Sequence, residues 1–418
     1  MFSSPLPSAP RPSTQAGVAP VRGRRGRHLT VGAGALGLTV LLTACSGGSD
    51  DDGKGGGSTA AGAPARAEIS VNLKGERAAA GKPVTVRLAE GELRGVTVTS
   101  KKDAKAGAPL TGKVSADGRT WTSERVAAPG TAYQVRATTK EGGSATAAFT
   151  TVAADKVNKL TLAPGKGTTV GIAQPLSITF DHPVKNKAAV ERALKVTTSN
   201  DTTGSWGWIE HYDGKDRIDW RPEEYWKPGT KVQLRANLNG VDSGTAGGFF
   251  VRDYDTSFTI GAAQIVKVDL NTKQLRLERD GKTVRTLPMS AGTPGGKKRS
   301  WGGTTVLMSK EGTIRMNSET VGLGDAYDKM VDYSMRLTWS GMYAHAAPWN
   351  AAYFGNANRS SGCIGMSDAN AGWLYGQVRA GDPFEVTGEG HKGVPAPGNG
   401  YGEWNLSWAD WQQRSALR

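Results

Sequence analysis

Two side chains late in the sequence have the right types and spacing for nucleophilic chemistry. Cys363 sits in "RSSGCIGMSD" (359–368), and His345 lies 18 residues upstream in "MYAHAAPWN" (342–350), at the end of an apolar, strand-like stretch. A thiol attacks well once a base takes its proton and the resulting cation steadies the thiolate. Gly362 permits a tight backbone approach, and the successive amides of Ser361, Gly362 and Cys363 could converge on one oxyanion. The small Ser360 and Ser361 leave room for a substrate. The pattern predicts a cysteine in a Gly/Ser turn at the start of a helix, facing a histidine at the end of a strand. Any chain with one Cys and one His offers such a pair, so the surroundings must decide whether Cys363 is a reactive thiol or a buried small hydrophobe.

The chain has one other cysteine, Cys45. It follows a basic segment, Arg22–His28, and an apolar run, Leu29–Ala44, of 16 residues. That run is shorter than the about 20 residues a membrane span needs. A charged region, a short apolar run and small residues before a cleavage point make an export signal, here residues 1–44. The ending "LTAC" resembles the bacterial lipobox, which implies cleavage before Cys45 and a diacylglycerol on its sulfur. Two acyl chains anchor stably to a membrane. The expected location is the outer face of the cytoplasmic membrane. A lipidated Cys45 cannot pair with Cys363, which leaves a single thiol in a compartment that permits disulfides. Residues 45–66, rich in Gly and Ser, read as a flexible tether.

The remaining elements must position the pair. With 57 glycines and 37% apolar residues in 418, the chain reads as β-rich and loop-rich. Short alternating segments such as "VTVRL" (84–88) and "YQVRATT" (133–139) predict one antiparallel sandwich over 67–153. A second is expected over 154–262, with Trp206, Trp208, Trp220 and Trp226 packing its core and "KAAVERAL" (187–194) as a short helix. A third unit covers 263–388. Its strands include "QIVKVDL" (264–270), "TTVLMS" (304–309) and "PFEVTG" (383–388), Asp280-Gly281 is its hairpin turn, and "PGGKKRSWGG" (294–303) and "GLGDAYDKM" (322–330) are its loops. A helix is expected over 367–382, capped by Ser367 or Asp368 and stopped by Gly381. The tail 389–418 carries Trp404, Trp408 and Trp411 and should pack back onto the body. The formal net charge of +14 favours anionic surroundings, while the scattered Lys and Arg show no nucleic-acid motif. HExxH and CxxC are missing, and His182, His211 and His391 lack ligand spacing, so no metal or other cofactor is expected.

The stretch "HAAPWNAAYFGNANRSSGCIGMS" (345–367) resembles the signature of the L,D-transpeptidases, the YkuD-type catalytic domain, with its "HxAPW" and "GNxNxS" segments. The resemblance implies a mostly-β protein: two immunoglobulin-like sandwiches, then a YkuD-type β-sandwich with a short helix and a Trp-rich extension. It implies Cys363 as nucleophile, His345 as base, and the amides of Ser361 and Gly362 at the oxyanion. It also implies Tyr327, Ser340, Gly341, Trp349, Asn358 and Gly365 as substrate contacts. Three positions depart from the family pattern: Ser361 replaces a His, Gly365 stands where relatives have Asn or Arg, and Ala346 replaces a Ser. The implied reaction is acyl transfer from a peptidoglycan stem tetrapeptide through a thioester, with release of D-Ala and 3→3 crosslinking to an acceptor amine. Carbapenems are implied as covalent inhibitors. The alternatives are an L,D-carboxypeptidase on the same donor and a wall-binding lipoprotein with a decayed site.

Overall fold

Burial along the strands follows the pleat. In Pro83–Leu88 the alternate residues Val84, Val86 and Leu88 are buried, and in Ala132–Thr139 they are Tyr133, Val135, Ala137 and Thr139. Such strands hide one face only, so they must stack in pairs of sheets. The computed structural model describes residues 67–100, 109–244 and 248–418. The export signal, Cys45 and the tether lie outside the described residues. The described residues cluster as one unit.

The first sandwich pairs two four-stranded sheets. One has the order Ile69–Val71, Pro83–Leu88, Thr120–Val126, Gly112–Val114; the other runs Gly75–Ala78, Ser144–Thr151, Ala132–Thr139, Leu93–Ser100. Val84, Val86, Val98, Trp121 and Val135 fill the space between. In the second sandwich, Leu160–Ala163, Leu176–Phe180, Asp216–Arg221 and Ser205–Glu210 form one sheet. Its Trp206 and Trp220 lie opposite one another across strands, and all four expected tryptophans join the buried core. The short helix is present at Lys187–Arg192.

The third unit stacks a five-stranded sheet on a four-stranded one. The larger has the order Lys282–Pro288, Gln274–Arg279, Gln264–Asp269, Pro383–Thr387, Gly303–Val306. The smaller runs Ser309–Asn317, Asp328–Arg336, Tyr343–Ala346, Ile364–Met366. Asp280 and Gly281 both take positive φ, 50° and 75°, as a two-residue hairpin requires.

Three expectations are corrected here. Residues 328–330, expected in a loop, belong to the strand Asp328–Arg336, and the 304–309 strand is two separate strands, ending at Val306 and restarting at Ser309. Ser309–Asn317 has no buried residue, Asp328–Arg336 is mostly exposed, and the pair shifts register near Gly312 (φ 68°) and Tyr333 (φ 54°), so bulges erase the period of two that betrays a strand. The helix spans only Asp368–Gln377, because Val378 is extended (ψ 156°) and turns its buried side chain into the core.

The tail packs onto the second sandwich. Trp411 is fully buried and donates from Nε1 to the Ser205 carbonyl at 3.1 Å, and Trp404 Nε1 donates to the Ala173 carbonyl at 2.8 Å. The Arg221 guanidinium lies over the rings of Trp404, Trp408 and Trp411 at 4.7, 5.5 and 5.2 Å. Beside it, buried Arg217 is paired with Asp219 and donates to the Gly400 carbonyl at 2.8 Å. Glu403 is also buried, 3.8 Å from Arg217. One guanidinium cannot neutralise two buried carboxylates, and burial together with the Asp219 charge pushes the Glu403 carboxyl well above its ordinary range.

Trp411→Ala should lower unfolding stability by roughly 3–5 kcal/mol in chemical denaturation, as expected for emptying a fully buried aromatic site. Because the folded-state pKa of Glu403 is raised, its contribution is present at low pH and lost as pH rises through that pKa. Glu403→Gln should flatten the decline of thermal stability with rising pH; an unchanged pH dependence would refute the account of a protonated Glu403.

Candidate active site

Two short parallel strands create the site. Tyr343–Ala346 is buried throughout, with the apolar Tyr343, Ala344 and Ala346 flanking His345, and it pairs with Ile364–Met366 so that His345 lies opposite Gly365. Side chains alternate along a strand, so Cys363, just before Ile364, projects on the same side as Gly365 and, across the ladder, His345. The Tyr343 backbone N–H points at the Cys363 thiol. The position opposite the imidazole is crowded and takes only a glycine without adjustment; a Cβ there would come within 2.9 Å of Ala347 Cβ. Gly365 therefore acts through packing and is not among the residues lining the cavity.

His345 is 5% exposed, and its Nδ1 lies 2.7 Å from the Ala346 carbonyl oxygen. A carbonyl only accepts, so Nδ1 carries the proton and Nε2 keeps its lone pair. Burial lowers the imidazole pKa below its usual value. Cys363 keeps part of its surface open to the cavity, yet protein crowds the sulfur closely enough that desolvation pushes the thiol up to about 11. Its Sγ lies 3.6 Å from the Gly341 carbonyl oxygen. The strand Ile364–Met366 separates Cys363 from the helix that Ser367 caps, so the expected place at the helix start is corrected and no helix terminus supports a thiolate.

Cys363 and His345 line one cavity of about 210 Å³ together with Tyr327, Trp349, Ser360 and Ser361. Trp349 is 44% exposed, its ring 6.1 Å from that of His345. Half-buried Tyr327 also borders a second cavity of about 650 Å³ that takes in Gly341, Trp339 and Arg336. Of the amides expected at the oxyanion, that of Gly362 donates to Ser360 Oγ at 3.2 Å. The amides of Ser361 and Cys363 have no protein acceptor among the described residues.

Two more expected contacts, besides Gly365, lie outside both cavities. Ser340 Oγ receives Trp301 Nε1 at 3.0 Å and Asn399 Nδ2 at 2.9 Å, which uses the hydroxyl to brace the loop before His345. Asn358 is 8% exposed; it accepts from the Ala291 amide at 3.1 Å and donates to the Leu270 carbonyl at 2.8 Å. Sequence reasoning missed two cations on the cavity wall, Lys329 and Arg359, neither with an ion-pair partner among the described residues. The excess of basic residues was their only signal.

Residues 263–386 match the family described as the L,D-transpeptidase catalytic domain, and residues 75–242 match the bacterial Ig domain. L,D-transpeptidase 2 of Mycobacterium tuberculosis is 34% identical over 343 residues, covering 80% of this chain and 81% of that protein. L,D-transpeptidase 1 of the same species is 36% identical over 231 residues, covering 54% of this chain and 84% of that protein. The solved structure of LD transpeptidase LdtMt1 in complex with imipenem covers 55% of this chain and 100% of its own, at 34% identity and a TM-score of 0.47. With a relative matched over four-fifths of both lengths and the catalytic-domain match enclosing Cys363 and His345, the chain belongs to the L,D-transpeptidase family.

Proposed function

We propose that this transpeptidase works through Cys363, as a cysteine acyltransferase on peptidoglycan stem peptides that forms 3→3 crosslinks. The observation that carries this reading is the common cavity of a thiol and an imidazole whose Nδ1 is fixed to a carbonyl, leaving Nε2 to act as base. At rest the pair is neutral, since burial lowers the imidazole and raises the thiol. When a donor tetrapeptide enters, His345 Nε2 takes the thiol proton and Sγ attacks the carbonyl before the terminal D-Ala. The amides of Ser361 and Cys363 receive the oxyanion. Collapse expels the D-Ala amine, which takes the proton back from His345. An acceptor amine then attacks the thioester and gives its proton to His345, the C–S bond breaks, and His345 returns the proton to the departing sulfur. Ser361 needs only its backbone for this role, so the family histidine it replaces is dispensable here.

Lys329 and Arg359 suit the carboxylates of a stem peptide, and Tyr327 and Trp349 hold its chain against the thiol. The same thiolate would open the strained carbonyl of a carbapenem. The protein acts at the cell wall as a lipoprotein anchored through Cys45, which the "LTAC" ending supports.

Cys363→Ala should abolish both crosslinked dimer and the carbapenem adduct seen by intact mass, and adduct surviving that change would sink the assignment. His345→Ala should slow turnover about 10²–10⁴-fold, the usual share of a positioned base. Incubation with a disaccharide-tetrapeptide should yield dimer; tripeptide alone would identify an L,D-carboxypeptidase. Alkylation of Cys363 by iodoacetamide, followed on its own tryptic peptide, should keep accelerating up to about pH 10, because the thiol titrates near 11. A plateau reached below pH 7 would reveal a preformed thiolate–imidazolium pair and refute the neutral resting state.

A further inference from the structure

A neutral resting thiol leaves open what stabilises the thiolate once His345 has taken its proton. Helix Asp368–Gln377 begins beyond an intervening strand and cannot do so. The C-terminal extension, however, crosses the back of the site. The Lys392 amide donates to the Ser300 carbonyl at 2.9 Å, and Ser300 Oγ donates to the carbonyl of Gly362, the residue before the nucleophile, at 2.8 Å. The Lys392 ammonium lies 4.4 Å from the centre of the Trp301 ring. Trp301 Nε1 is held at 3.0 Å by Ser340 Oγ, and the next residue, Gly341, puts its carbonyl oxygen 3.6 Å from Cys363 Sγ. Lys392 is thus fixed at its backbone by Ser300, which also holds Gly362, and at its tip by the Trp301 ring. It has no carboxylate partner among the described residues.

We infer that Lys392 is the cation that stabilises the Cys363 thiolate, acting through space from the C-terminal extension; the inference rests on Cys363 being the nucleophile. Lys329 and Arg359 stand on the wall of the cavity that Cys363 also lines, and the other charged and titratable groups around the thiol are few. Tyr327 and Tyr343 are phenols kept neutral by burial, Tyr327 titrating near 12, and His345 becomes the imidazolium on the cavity side. Arg299 repels the ammonium and the thiolate attracts it. A half-buried ammonium stacked on an indole, with no carboxylate to neutralise it, keeps its field for the sulfur. In this way the extension, which the sequence suggests only as a packing element, sets the charge state of the nucleophile.

The test uses the full chain and alkylation of Cys363 read on its own tryptic peptide. Lys392→Met should slow reaction with uncharged iodoacetamide at pH 8 about three- to tenfold, shifting the rate–pH line upward by roughly 0.5–1 pH unit, as loss of a nearby opposite charge does. Lys392→Arg should restore it, because charge rather than shape is the active property. An unchanged iodoacetamide rate overturns the inference, including the case where only anionic iodoacetate slows, which would make Lys392 a collector of substrate carboxylates. Slowing that Arg fails to rescue also overturns it, as a packing effect. Lys392→Gln, checked for an unaltered thermal midpoint, repeats the test if the Met variant folds poorly. Activity retained by Cys363→Ala would instead strike the underlying assignment and leave the alkylation result standing.

Discussion

The site depends on one short parallel ladder, the three-residue pairing of Tyr343–Ala346 with Ile364–Met366. Its register places a glycine opposite the imidazole and aims the Tyr343 amide at the thiol. A slip by one residue would send Cys363 to the opposite face. So short a ladder cannot hold its register alone, since hydrogen-bond gains over a few residues barely offset the entropy of ordering them. The register is held from outside. Ser290 exchanges both backbone hydrogen bonds with Gly365, Ser290 Oγ donates to the Ala357 carbonyl, and Asn358 ties its loop to Ala291 and Leu270. The core formed by Leu275, Met289, Met335, Ile364 and Leu374 closes over the buried face.

Seen from this ladder, the polar residues divide by what they bind. Ser340 holds the Trp301 indole and the Asn399 side-chain amide, Asn358 holds the backbone of Ala291 and Leu270, and both so act as braces. Tyr327 and Trp349 keep surface in the cavity and so remain available to a ligand. The departures from the family pattern fit the same division. At Gly365 a side chain would meet Ala347, and Ala346 serves through its carbonyl, which fixes the tautomer of His345. Ser361 keeps an unspent amide in the turn before Cys363.

Much of this was legible in the sequence, for identifiable reasons. Alternating Val, Ile and Leu made the sandwiches visible, Asp280-Gly281 announced a hairpin, and "HAAPWN" with "SSGC" pointed to His345 and Cys363, which share one cavity. The strands on either side of Tyr327 were hidden because bulges at Gly312 and Tyr333 break their alternation and much of their surface faces solvent. The bracing roles of Ser340 and Asn358 were also hidden, since a motif records which residue stands at a position and not where its hydrogen bonds go. Lys392 gave no local signal. Its place beside the nucleophile is created by the tail lying over Ser300 and Trp301, a long-range packing that no window of sequence contains.

That packing has a consequence for how the molecule is built. Trp404 reaches back 231 residues to Ala173, and Arg217 reaches forward 183 to Gly400. Contacts this distant in sequence are the slowest to form, because each must close a long loop first. A growing chain that has already emerged through Cys363 holds the thiol and His345 but not yet Lys392 or the tryptophans that surround Arg221. The surroundings of Cys363 are therefore complete only when the segment 389–418 is made and docked on the second sandwich, so the order of synthesis itself delays the final environment of the thiol.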